Sequence, residues 1–189
     1  ETVSAEPLMR WTLKSGESVP PAVFIPIAEA NELIGKLTLL ALQRVSEDFG
    51  DFLRTHKNFK ISVNVVPADM MDSSFHQSLQ HHFEEAGIAP TQLAFELTER
   101  TSARLESAVT VMLELGGRGH EIYIDDFGTG YANLSYLSDL KVDKIKLDKK
   151  FTDTVGTGTL RERIVPSVIE LARELGVEII VEGVESNAQ

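Results

Sequence analysis

The chain has 189 residues, 42% hydrophobic and 25% charged, enough for one globular domain with a buried core. Its formal net charge of -11 argues against binding a nucleic-acid polymer, so a phosphate-bearing ligand would need metal ions or a local Lys or Arg. The absence of cysteine excludes thiolate catalysis, disulfides and cysteine-bound zinc; with no apolar run near the ~18 residues of a membrane span and no signal peptide, the segment reads as cytoplasmic and without direct membrane contact, either free or as the cytoplasmic domain of a membrane-anchored signalling protein.

In chain order, residues 2–8 read as a strand and residues 14–17 as a turn. After Pro20 and Pro21, a helical region runs in two pieces to about Leu53, with Asn31 and Gly35 near the break. Residues 59–66 form a second strand, and Asp72, Ser73 and Ser74 cap a helix that Gly87 ends. The third strand is 93–98, followed by a helix from about Ser102 that stops at Gly116 and Gly117. Residues 121–125 are the fourth strand and 144–147 the fifth. A helix over 160–175 carries Ile164, Val168, Leu171 and Leu175 on one face, with Gly176 as its stop, and 178–181 is the last strand. Such alternation predicts parallel strands joined by crossover helices. A (β/α)8 barrel normally takes about 250 residues. Six strands therefore leave two architectures, an open doubly wound sheet or a barrel whose ends lie outside the segment.

Each strand sets an apolar face against a face with one polar group near its C-terminal end: Glu6, Asn64, Glu96, Asp125, Lys146 and Glu182. A barrel turns that second face inward and gathers its C-terminal rim into an active site. Asp126 adds a second carboxylate, ahead of a loop that Gly128 and Gly130 leave free to take positive φ. Two adjacent carboxylates at a strand end require a cation or strong donors; the alternative is that one of them caps a short helix starting near Ala132. The donors are all oxygens, which selects Mg²⁺ or Mn²⁺ over Zn²⁺. Four or five carboxylates around one point suit a pair of ions. His56, His76, His81, His82 and His120 read as surface or packing residues.

In order and spacing, these residues resemble the EAL-type phosphodiesterases, which hydrolyse the bacterial second messenger cyclic di-GMP. The matching segments are Glu6-Pro7-Leu8-Met9-Arg10-Trp11, Phe24-Ile25-Pro26 with Ala28-Glu29, and Ser62-Val63-Asn64. They continue through Glu96-Leu97-Thr98-Glu99, Asp125-Asp126-Phe127-Gly128-Thr129-Gly130, Lys146-Leu147-Asp148 and Glu182-Gly183-Val184-Glu185. The resemblance implies a single domain over 1–189, α/β in class, a TIM-like (β/α)8 barrel truncated at both ends. The family's first strand and its final strands, which carry a substrate-binding Gln, would be missing.

The resemblance also implies two Mg²⁺ or Mn²⁺ ions, one held by Glu6, Asn64, Glu96 and Asp125, the other by Asp125, Asp126 and Glu182. A water between them would attack phosphorus in line, opening the ring to the linear dinucleotide pGpG. Lys146 would orient that water or offset building charge, so Lys146, Glu182 and Asp126 are the catalytic candidates. Arg10, Leu8 and Pro26 are implied substrate contacts, a surface ion pair being the other reading of Arg10. Glu99 is implied as an anchor of the glycine-rich loop, with a cap for the helix near Ser102 as its alternative. A homodimer is implied, as is attachment to sensor or cyclase domains in a larger signalling protein. Pro7 departs from the family's Ala; it removes a ladder N–H, which suits a strand end and bears on rate more than on fold. Two further readings stand beside hydrolysis: a cyclic di-GMP receptor or interaction module without turnover, and a barrel enzyme acting on another phosphodiester or phosphorylated sugar.

Overall fold

The computed structural model describes residues 3–98, 109–128 and 141–186. The chain divides into two compact units, Glu1–Ala94 and Phe95–Gln189. The first contains β1 (Ser4–Ala5), β2 (Trp11–Thr12), β3 (Ser18–Val19), α1 (Pro21–Ala30), α2 (Ile34–Thr55), β4 (Lys60–Asn64), α3 (Pro67–Met70) and α4 (Ser73–Leu79). β1 and β4 pair in parallel, Ser4 opposite Lys60 and Ala5 opposite Ile61. Among the described residues of the strand predicted over 2–8, two join that ladder. Glu6 and Pro7 lie just past it, where the N–H that Pro7 lacks is not required.

The turn at 14–17 closes a small antiparallel hairpin, β2 with β3, that alternation did not reveal. Within it, the Leu13 N–H donates to the Glu17 carbonyl (2.8 Å) and the Gly16 N–H to the Leu13 carbonyl (2.9 Å). The break between α1 and α2 falls where Asn31 and Gly35 placed it. α2 buries Thr38, Leu42, Val45 and Leu53 along one stripe at helical spacing. β4 buries Ile61, Ser62 and Val63 in succession, so both its faces are covered, as for parallel strands generally. Asp72 caps α4 by accepting from the Ser74 N–H (2.7 Å), as expected. The helix predicted to continue to Gly87 instead widens into a π-helical turn over Gln80–Glu84.

β5 (Leu93–Thr98) leads into the second unit, followed by α5 (Val109–Arg118), β6 (Glu121–Phe127), β7 (Lys144–Leu147), α6 (Lys149–Thr152), α7 (Leu160–Leu175) and β8 (Glu178–Val181). The strands lie side by side in the order β5, β6, β7, β8. β7 runs parallel to both β6 and β8, with Lys146 opposite Ile180. α5 does not stop at Gly116 and Gly117: it continues to Arg118, and Gly119 at φ 102° makes the stop. Glycine inside a helix costs about 1 kcal/mol against alanine without breaking it, whereas a positive φ does end it.

α7 ends at Gly176 in the left-handed conformation, as predicted. Its buried stripe differs from the expected one. Val168 and Ala172 are buried, while Ile164 is 43% exposed and Leu175 is exposed as well. Apolar periodicity favours large side chains and so passed over Ala172, whose small size suits a close approach. The predicted start of α5 near Ser102, the helix near Ala132, Glu99, Thr129 and Gly130 lie outside the described residues.

Candidate functional site

Strict alternation along β6 would put Asp126 on the apolar face with Ile122 and Ile124. The register shows otherwise. Ile124 pairs with Ile145 and Phe127 with Leu147, so Asp125 and Asp126 together oppose Lys146. One extra residue in the strand is a bulge, which bends the chain and re-aims its side chains. Asp126 absorbs it at φ 54°, a left-handed conformation that Asp tolerates better than most residues. Phe127 then returns to the core, and both carboxylates are left half-buried at the strand end.

Lys146 stands at the centre of the second unit's polar residues. Its Nζ lies 2.8 Å from Glu96 Oε2, 3.0 Å from Glu182 Oε1 and 3.3 Å from Asp125 Oδ1. Lys146 is 5% exposed and Glu96 only 1%, so this is a nearly dry arrangement in which charge imbalance is costly. Carboxylate oxygens of Glu96 and Asp125 lie within 4.8 Å of each other. Among the described residues one ammonium faces three carboxylates, and Asp126 adds a fourth. The Asp126 carboxyl is pushed up to about 6, first by burial, then by the Asp125 charge, then by a hydrogen bond and charge from Asp148, and by Glu182.

Asp148 is a site residue to which sequence reasoning assigned no role. Its Oδ1 caps α6 by accepting from the Lys150 N–H (2.7 Å), and its carboxyl also meets that of Asp126. The available signal was its position two residues after Lys146, on the same side by strand alternation. Carboxyl groups of Asp126 and Asp148 that hydrogen-bond each other need a shared proton or a cation between them. The acidic groups of the second unit are all oxygen donors, and among the described residues they outnumber the cations beside them, which fits a hard divalent ion such as Mg²⁺ or Mn²⁺.

In the first unit Asn64 Nδ2 donates to Glu6 Oε1 (2.7 Å), so the ends of β1 and β4 bring their two polar groups together. Arg10 is exposed, donates to the neighbouring Met9 carbonyl (3.0 Å), and forms no ion pair among the described residues. Leu8 and Arg10 share a cavity of about 300 Å³ with Leu40, Arg44 and Phe49 of α2. Pro26 sits exposed inside α1 and is not part of that lining.

The raised Asp126 carboxyl sets a pH dependence. Its folded value of about 6 exceeds the ordinary 3.8, so the folded state holds the proton more tightly than the unfolded chain. The resulting stability is complete below about pH 4 and is lost as pH rises through about 6. The metal-free wild type is therefore expected to lose melting temperature relative to Asp126→Asn across that window. Saturating divalent ion, which favours the ionised carboxylate, should abolish the difference. Melting curves in chelator and in Mn²⁺ measure this, and parallel pH profiles of the two proteins in chelator would contradict the assignment.

The EAL domain family model matches residues 1–189. Over 187 residues the chain is 39% identical to the probable cyclic di-GMP phosphodiesterase PdeB of Escherichia coli K12, covering 99% of this chain and 36% of PdeB. It thus spans little more than a third of that relative. Among solved structures it is similar to the PaMucR phosphodiesterase in complex with c-di-GMP, at TM-score 0.88 and 29% identity, over 98% of this chain and 76% of that one. It is also similar to Klebsiella pneumoniae BlrP1 in its manganese and cyclic di-GMP complex, at TM-score 0.74 and 28% identity, over 92% of this chain and 44% of that one. BlrP1 has likewise been solved with calcium and the same dinucleotide. These likenesses decide between the two architectures left open by the strand pattern: the fold is the α/β, TIM-barrel-like one of these structures, of which the segment is a part. The chain belongs to the EAL domain family.

Proposed function

We propose that this segment hydrolyses one phosphodiester bond of cyclic di-GMP to the linear dinucleotide pGpG, using two divalent ions, Mg²⁺ or Mn²⁺. The observation that carries this reading is the Lys146 ammonium set among Glu96, Asp125 and Glu182, with Asp126 raised beside them. Glu6, Asn64, Glu96 and Asp125 would hold one ion, and Asp125, Asp126 and Glu182 the other. When bound, such ions acidify water and offset charge on phosphate oxygens.

The chain's own residues do the rest. Lys146, paired with three carboxylates, donates from a fixed position, so it can hold a water or meet negative charge as it builds on the phosphoryl oxygens. Asp126, raised to about 6, is the ligand candidate that holds a proton into the mildly acidic range, so its use as a ligand falls off as pH drops through about 6. Arg10 contacts a substrate phosphate, with Leu8 and Pro26 as apolar contacts. Glu99 anchors the loop that follows Asp126. The relatives support the substrate: PdeB is named as a probable cyclic di-GMP phosphodiesterase, and PaMucR was solved with c-di-GMP bound. A homodimer, attachment to sensor or cyclase domains and a cytoplasmic location complete the proposal. No helix among the described residues is long and apolar enough to cross a membrane.

The test is product analysis on cyclic di-GMP with the protein that contains this segment. Mg²⁺ or Mn²⁺ should support conversion to the linear dinucleotide. Ca²⁺ should bind without supporting it, because calcium takes more ligands at longer distances. Turnover with calcium as the sole divalent ion would remove the two-ion reading. Tight binding of cyclic di-GMP without conversion in Mg²⁺ or Mn²⁺ would make the domain a receptor instead.

A further inference from the structure

β8 ends at Val181, so Glu182 has left the regular ladder, yet its peptide groups are held on both sides. The Glu182 N–H donates to the Leu147 carbonyl at the end of β7 (3.1 Å). The Glu182 carbonyl accepts from the Thr152 hydroxyl (2.6 Å). Thr152 is the last residue of α6 and is 3% exposed, so the donor side of that hydrogen bond is buried. Next in the chain, Gly183 takes φ 67° and lies against the aliphatic stem of Lys149, where a Cβ would collide with Lys149 Cγ and Cδ. Lys149 also pairs with Glu185. α6 therefore grips the segment after β8 by a hydroxyl, a side-chain stem and an ion pair.

We propose that Thr152 is a positioning residue for Glu182. Its hydroxyl fixes the Glu182–Gly183 peptide, and through it the direction of the Glu182 side chain, so that the carboxylate faces Lys146 and the ion assigned to it. Glu182 reaches the site from a strand end with its side chain 33% exposed, so burial alone does not dictate its direction. Gly183 adds little torsional restraint of its own. The hydrogen bonds at the Glu182 N–H and C=O supply it instead, and Thr152 provides the one on the Gly183 side. The inference rests on the reading of Glu182 as a metal ligand.

Three variants test it: Thr152→Val, which keeps the shape without the donor, Thr152→Ser, which keeps the donor, and Glu182→Gln. Mn²⁺ binding is measured without nucleotide by calorimetry and paramagnetic resonance, with melting curves alongside. Thr152→Val should weaken the second Mn²⁺ site by about tenfold, as for other groups that orient a ligand. Thr152→Ser should bind like the wild type, and Glu182→Gln should lose the second ion. Wild-type Mn²⁺ binding by Thr152→Val, together with loss in Glu182→Gln, would reduce Thr152 to packing and overturn the proposal. Equal weakening in the Val and Ser variants would do the same. Two intact sites in Glu182→Gln would instead show that the ligand reading of Glu182 is wrong, and the role of Thr152 would fall with it.

Discussion

Lys146→Ala is expected to lower turnover about a hundredfold or more, the usual loss when a transition-state contact is removed, while divalent ions stay bound. The geometry adds a second, opposite signature in the metal-free protein. Lys146 is the counter-charge of Glu96, Asp125 and Glu182 at 2.8, 3.3 and 3.0 Å. Removing one partner of a buried ion pair leaves uncompensated charge, at a cost of about 3–5 kcal/mol. The metal-free variant should therefore melt well below the wild type. Added Mg²⁺ or Mn²⁺ supplies the missing charge, so the variant should gain more stability from metal than the wild type does. The expected set is a low melting point in chelator, a large recovery in metal, and slow single-turnover cleavage after recovery. A variant that no longer binds metal would show that Lys146 organises the ligands, and one with full activity would show that it takes no part in the reaction.

Most of the scaffold around Lys146 was legible in the sequence because its elements obey simple periods. Residues 93–98, 144–147 and 178–181 are short apolar runs bounded by polar or turn residues, and they became β5, β7 and β8 with those limits. Gly176 marked the end of α7 because a left-handed stop favours glycine. What escaped is whatever breaks a period or depends on a distant partner. The hairpin of Trp11–Thr12 and Ser18–Val19 is two residues a side, too short to alternate. The π turn at Gln80–Glu84 carries no composition signal of its own.

At the site, the bulge at Asp125 and Asp126 overrides period-two placement. The only hint in the sequence was energetic, since a carboxylate beside Ile122 and Ile124 on the apolar face would be costly. The contact of Asp148 with Asp126 and that of Thr152 with Glu182 join residues 22 and 30 positions apart. No local pattern encodes such pairs. The family resemblance named the ligand candidates without exposing what orients them.

Gly128→Ala is expected to destabilise the second unit and impair the site from a position that carries no functional group. Two independent penalties act there. Gly128 sits at φ 88°, which costs a residue with a Cβ about 1–2 kcal/mol. The added Cβ would also stand 2.5 and 2.6 Å from Cζ and Cε2 of Phe151, a core ring that is 3% exposed. Overpacking of that kind costs about 1–3 kcal/mol. The total is on the order of 3 kcal/mol, or about 10 °C of melting temperature for a chain of this size. Relief has to come from the Gly128 backbone, and the bulged Asp125–Asp126 pair lies just upstream, so metal affinity and turnover should fall with stability. Phe151→Leu opens space for the Cβ without changing φ, so the double variant should be less destabilised than the sum of its singles. As a control, Gly117→Ala in α5 meets nothing within 4 Å and should be neutral or gain up to about 1 kcal/mol. If Gly128→Ala instead melts and turns over like the wild type, the backbone at the bulge is not pinned against Phe151, and the placement of Asp125 and Asp126 must have another cause.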